Sequence, residues 1–221
     1  MKIKYIIKGI FRKYRNFFLN KIHIFNTFYF KLINIRGMRK WVKNGTPSPP
    51  HPNFKRKTVK AYAKKFKIHT LIETGTYRGD MVIDNQKNFK KIYSIELDKK
   101  LYEKAVERCK PYSHISLYHG DSTDILPKIL LNIKKPCLFW LDAHYSGKGT
   151  AKGELDTPIL KEMELILNEP NLNSVILIDD AREFVGINGY PTIKQLKEIV
   201  LTKRKDWLFI VKYDMIHIHK T

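Results

Sequence analysis

Residues 69–80 read His69-Thr70-Leu71-Ile72-Glu73-Thr74-Gly75-Thr76-Tyr77-Arg78-Gly79-Asp80. The run HTLIE has the length and apolar content of a buried strand, and a helical pattern opens at Asp80. Between them, Gly75 allows a tight turn at the strand end. Gly79 allows the following helix to approach closely. A strand, a glycine-bounded turn and a helix begin an α/β unit.

The same alternation continues outward from that turn. Further strand-like runs are KIYSIE, HISLYH, CLFWLD and SVILID. Helical stretches fall at 80–89, 99–109, 122–131, 157–168 and 191–203. Strands alternating with helices of this length predict a parallel sheet covered on both faces. The ending differs. WLFIVK and MIHIH are separated only by Tyr213 and Asp214. Two residues cannot make a parallel crossover, so this pair is an antiparallel hairpin.

Acids stand at the ends of the next two strands. The second strand ends at Glu96, 21 residues after Gly75, where a carboxylate can accept both ribose hydroxyls of a nucleoside. The third ends at His119-Gly120-Asp121-Ser122. There Asp121 can accept from an adenine amino group and Ser122 can cap the next helix. Gly-x-Gly-x-x-Gly is missing, which argues against a dinucleotide, whose pyrophosphate needs bare backbone.

With these residues in order, the chain resembles the class I S-adenosylmethionine-dependent methyltransferases over about residues 58–221. ETGTYRG corresponds to the first family motif, IELD to the acidic second motif and HGDS to the adenine-side motif. The resemblance implies a Rossmann-like seven-stranded α/β fold, five parallel βα units followed by the hairpin. It implies S-adenosylmethionine as cofactor, held by Glu73, Gly75, Thr76, Gly79, Glu96, Asp121 and Ser122. Tyr77 departs from the pattern: many members carry a middle glycine there, and the side chain narrows the backbone approach.

The fourth strand runs into Asp142-Ala143-His144-Tyr145 and the fifth into Asp179-Asp180. In this topology the two strands are neighbours, and ligands bind outside their carboxyl ends. Asp142, Asp179 and Asp180 then converge, and three carboxylates on an apolar floor repel each other unless a cation sits among them. Oxygen-only ligands suit Mg²⁺. The arrangement resembles catechol-type and macrocin-type O-methyltransferases. In them, one Asp after the fourth strand and a pair after the fifth surround Mg²⁺, which activates the attacking hydroxyl. His144 is the first candidate for general base, because imidazole titrates near neutrality, and Tyr145 is the fallback. Structural roles for the three acids, as caps or loop braces, compete with the metal reading.

Residues 146–156, SGKGTAKGELD, carry three glycines and follow the reactive acid, which fits a lid over substrate as well as a plain loop. The string LDAHYSGKGTAKGELDTPIL looks like a bacterial methyltransferase subgroup associated with surface-polysaccharide biosynthesis. That likeness implies a sugar hydroxyl of a glycan or lipid-linked saccharide as acceptor. Amino methylation of bases uses an Asn/Asp-Pro-Pro-aromatic string, which is missing. Cys137 lies at the wrong end of its strand to be a cytosine C5 nucleophile, and reads as core.

Charge divides the 221-residue chain unevenly. Residues 1–72 hold 19 of the 42 Lys and Arg and no acid; all 21 acids come later. An anionic partner is implied, a membrane surface or a nucleic acid. In residues 1–43 the apolar positions Ile3, Ile7, Ile10, Tyr14 and Phe17, then Phe18, Ile22, Phe25, Tyr29 and Leu32, follow helical spacing among bases. No 18-residue uncharged apolar run exists, so a spanning helix is not expected. A basic amphipathic helix of this kind fits peripheral binding to an anionic membrane, or packing on its own domain or a second subunit. With a reducing compartment implied by two core cysteines, the expected location is cytoplasmic, peripheral on the inner membrane face. The competing reading is an RNA methyltransferase whose basic arm binds the acceptor. A non-catalytic partner that keeps the fold is a third class, and the intact ribose and adenine acids argue against it. Four prolines in NGTPSPPHPN make residues 44–57 a linker. Thr58 then offers an N-cap for a helix through Lys67, opening a methyltransferase domain over 58–221.

Overall fold

The computed structural model describes residues 35–143, 157–169 and 173–221. Contacts divide the chain into Met1–Pro47 and Ser48–Thr221. In the first unit, residues 35–43 are helical (α1), and the Trp41 indole donates to Pro47 O at 2.7 Å. Most of the expected N-terminal amphipathic segment lies outside the described residues.

The second unit contains a seven-stranded sheet. Its strands are β1 (Thr70–Thr74), β2 (Lys91–Glu96), β3 (Ile115–His119), β4 (Leu138–Leu141), β5 (Val175–Ile178), β6 (Trp207–Lys212) and β7 (Met215–Lys220). The helices are α2 (Pro52–Lys65), α3 (Asp80–Asn85), α4 (Lys99–Cys109), α5 (Ser122–Leu130), α6 (Ile159–Leu167) and α7 (Ile193–Lys203). The strand order is β3-β2-β1-β4-β5-β7-β6. The first five strands pair in parallel, and β7 runs antiparallel to both β5 and β6. Tyr213 and Asp214 join β6 to β7 with φ of 51° and 56°. Two positive φ values in a two-residue loop match the right-handed twist of the strands it connects.

The central strands β4 (LFWL) and β5 (VILI) are buried at every position, as a parallel sheet covered on both faces requires. Period-two alternation splits them between two cores. Phe139, Leu141, Ile176 and Ile178 pack with Leu126, Met163, Leu196 and Val200 of α5, α6 and α7. Leu138, Trp140, Val175 and Leu177 pack on the other face with Val59 and Ala63 of α2 and Val82 of α3. Both cysteines are free and buried, and burial pushes the Cys137 thiol up to about 12, which fits a core residue.

One element differs from the sequence reading. The helix expected from Thr58 begins at Pro52, so residues 52–57 of the expected linker are its first turns. Proline needs no N–H partner at the first helical position, and its fixed φ suits the start of a helix. His51 caps the helix, its Nδ1 accepting from Asn53 N at 3.2 Å. Thr58, in the helix interior, turns its hydroxyl back to Phe54 O at 3.0 Å.

Candidate active site

The carboxyl ends of β1, β2, β3, β4 and β5 form one rim. After β1, Gly75 N and Thr76 N both donate to Ile95 O, at 3.0 and 3.1 Å. Gly75 has φ of 84°, and a Cβ there would lie 2.8 Å from the Asp142 carbonyl carbon. Glycine is therefore required both for the turn and for the close passage of β4. Glu96 is held from both sides. Tyr77 N donates to one carboxylate oxygen at 2.6 Å and Asp98 N to the other at 2.8 Å. Tyr77 adopts φ of 49° to reach it.

Glu73, fully buried, lies beneath the turn. Ser94 donates to it, and the Thr76 hydroxyl lies within hydrogen-bond distance of Ser94. Burial holds the Glu73 carboxyl well above the usual range; Ser94 opposes this, and Asp142 and Glu96 add to it. The Thr76 side chain is thus directed inward, which leaves its backbone to form the rim. Asp121, rather than Ser122, caps α5. Its Oδ1 accepts from Thr123 N at 2.8 Å and from the Thr123 hydroxyl at 2.7 Å. Among the described residues Oδ2 accepts no bond. Ser122, the first helical residue, is buried against Glu162 of α6. Burial raises Glu162 to about 7, against the nearby hydroxyls of Ser122 and Thr74.

The second half of the rim brings Asp142, Asp179 and Asp180 together, with one oxygen from each within 4.8 Å of the others. Backbone bonds extend the sheet to position them: Asp142 N donates to Thr74 O and Asp179 N to Leu141 O, each at 3.1 Å. Asp180, at φ 52°, folds back so that its N–H donates to Asp179 Oδ1 at 2.9 Å. A cation already stands here. Lys55 of α2 contacts Asp179 Oδ2 and lies 3.2 Å from Asp180 Oδ1. Arg182 bridges Asp180 at 2.9 Å and also pairs with Asp214.

Burial and the neighbouring Asp142 and Asp180 push the Asp179 carboxyl up, while Lys55 pulls it down. Lys55 is itself raised: burial lowers it, and Asp179, Asp180 and Asp142 together outweigh that. A fully protonated Asp179 would release Lys55, so the two shifts oppose each other. The charged ammonium is the firmer assignment, because Asp180 and Asp142 also support it.

His144, Tyr145 and the expected lid at 146–156 lie outside the described residues. Lys55, Arg182, Asp214 and Glu162 were not singled out by sequence reasoning. Glu162 had a readable signal. It shares the buried stripe of Ile159, Met163 and Ile166, where an acid is out of place.

No protein-family model matches the chain, and no curated protein does. Solved structures do. The O-methyltransferase TomG from Streptomyces achromogenes, involved in tomaymycin synthesis and in complex with SAM, is 16% identical. The match covers 85% of this chain and 89% of that one, with a TM-score of 0.57. An O-methyltransferase from Bacillus cereus in complex with SAH is 15% identical over 85% and 90% of the two chains, with a TM-score of 0.58. The SAH-bound methyltransferase PaMTH1 of Podospora anserina is 16% identical over 85% and 88%, with a TM-score of 0.56.

The fold is that of the class I S-adenosylmethionine-dependent methyltransferases.

The residues on this rim fit such a cofactor. Each Glu96 oxygen keeps acceptor capacity beyond its one backbone bond, so a ribose diol can add to it. Asp121 Oδ2 faces no donor among the described residues. The acidic trio fits Mg²⁺ by donor type, three oxygens of three carboxylates. It fits less well by charge, since Lys55 and Arg182 already offset part of it.

Proposed function

We propose that this chain is an S-adenosylmethionine-dependent O-methyltransferase whose acceptor is a sugar hydroxyl of a glycan or lipid-linked saccharide. The observation that supports it is the single rim on which acids from four consecutive strand ends meet: Glu96 and Asp121 on one side, Asp142 and Asp179-Asp180 on the other. In this reading Glu96 accepts from the ribose hydroxyls and Asp121 Oδ2 from the adenine amino group. The backbone from Gly75 to Gly79 lines the methionine part. Glu73 supports that turn through Ser94.

S-adenosylmethionine, when bound, would supply the methyl group to the acceptor oxygen and leave as S-adenosylhomocysteine, and a base would take the hydroxyl proton. His144 is assigned that role, with Tyr145 the fallback. Asp142, Asp179 and Asp180 would hold Mg²⁺, which when bound supplies Lewis acidity to the acceptor hydroxyl. Residues 1–43 would hold the enzyme at an anionic membrane surface, where lipid-linked sugars are found, on the cytoplasmic side. The 19 bases ahead of Glu73 favour a second reading, RNA methylation. Transfer of a labelled methyl group from S-adenosylmethionine to lipid-linked saccharide, with none to RNA, is the expected result. Label in RNA alone would overturn the sugar assignment.

A further inference from the structure

The acidic cluster needs a cation, and the fold supplies one from a helix at the far end of the sequence. Pro52 starts α2 early enough to carry Lys55 to the rim. Lys55 is separated by 124 residues from Asp179, yet its ammonium meets both Asp179 and Asp180. The backbone around it is fixed. Arg56, the next residue, pairs with Asp84 of α3 at 2.6 Å, and Val59 and Ala63 are buried in the sheet-facing core. The lysine stem alone is free to turn about its own rotors.

We propose that Lys55 is a tethered cation that competes with a divalent metal ion for the Asp179 and Asp180 carboxylates. The inference rests on the proposed metal-assisted reading and adds a control to it. An ion ligated at about 2 Å by these oxygens would stand beside an ammonium touching the same two carboxylates. Like charges that close exclude each other. Lys55 therefore holds the cluster together in the resting protein, and metal enters only as Lys55 swings out. Arg182 cannot take over, because its guanidinium is committed to Asp180 and Asp214.

The test is Mn²⁺ binding to the full chain, followed by electron paramagnetic resonance. Wild type, Lys55→Gln, Lys55→Arg and Lys55→Gln/Asp179→Asn are compared. Lys55→Gln removes the charge and keeps most of the length, so Mn²⁺ affinity rises by at least about tenfold. Lys55→Arg keeps the charge and stays near wild type, and Asp179→Asn abolishes the gain. Equal affinity in wild type and Lys55→Gln would overturn the competition while leaving the metal site in place. Mn²⁺ absent from every variant at millimolar concentration would overturn both. S-adenosylhomocysteine binding by the same samples, measured by calorimetry, reports on folding and on the methyltransferase reading separately. If Lys55→Gln fails to fold, Lys55→Met carries the same test.

Discussion

Glu162 sits on the apolar stripe of α6, and burial raises its carboxyl to about 7. A carboxyl raised by folding takes up protons as the chain folds. Its contribution to stability is fully present below the unfolded value near 4.5 and declines as pH rises toward 7. Glu162→Gln has no such decline. Urea denaturation at pH 5 and pH 8 should show the variant gaining roughly 2–3 kcal/mol on wild type between them. A constant gap would mean that Glu162 is ionised throughout. Gly75 gives a second test at this scale. Gly75→Ala sets a Cβ against the Asp142 backbone at a φ of 84°. A loss of about 2 kcal/mol or more in denaturant unfolding is expected, and S-adenosylhomocysteine binding should weaken with it. Single residues were legible where they ended an apolar run. Glu96 ends a strand, and Asp121, Asp142 and Asp179 come just after one, so the strand fixes where they stand. Lys55 was not legible, because nothing local to a basic, proline-rich stretch says which of its lysines faces acids 124 residues away.

At the scale of elements, β2, α4 and β6 fall on the residues that periodicity and turn chemistry predict. α4 is opened by an Asp98 side chain that accepts from Leu101 N at 2.9 Å. The start of α2 was misread because proline, a breaker inside a helix, is also a favoured first residue. The cap of α5 was assigned one residue late, to Ser122 instead of Asp121. That cap separates two roles of one side chain. Asp121→Ala should cost about 1 kcal/mol in stability, the usual worth of a lost N-cap. Asp121→Asn keeps a capping oxygen and so should keep stability. Its amide would face the adenine amino group as a donor, and calorimetry should show weaker S-adenosylhomocysteine binding at unchanged melting temperature. If Asp121→Asn binds as wild type does, Asp121 is a cap and nothing more.

At the scale of the whole molecule, an acid-free segment of 72 residues precedes a near-neutral remainder, and the proposed membrane role of residues 1–43 is tested on that asymmetry. Among the described residues no helix is long and apolar enough to cross a membrane. Full-length protein should float with anionic liposomes and stay down with neutral ones, and added salt should reverse the flotation. Preference for RNA over liposomes at physiological salt would move the account to its second reading. The five parallel strands and the antiparallel hairpin were legible because helix-length connections suit parallel neighbours and a two-residue connection forbids them. The acceptor was not legible, because only a likeness of strings pointed to a sugar hydroxyl, and His144 to Asp156 lie outside the described residues. Everything else depends on the cofactor. Calorimetry of the purified, folded chain with S-adenosylhomocysteine tests that most directly. Saturable one-site binding is predicted, weakened about tenfold or more by Glu96→Ala as two charge-assisted ribose bonds are lost. A folded protein that binds no S-adenosylhomocysteine, or binds it equally well without the Glu96 carboxylate, would contradict the account.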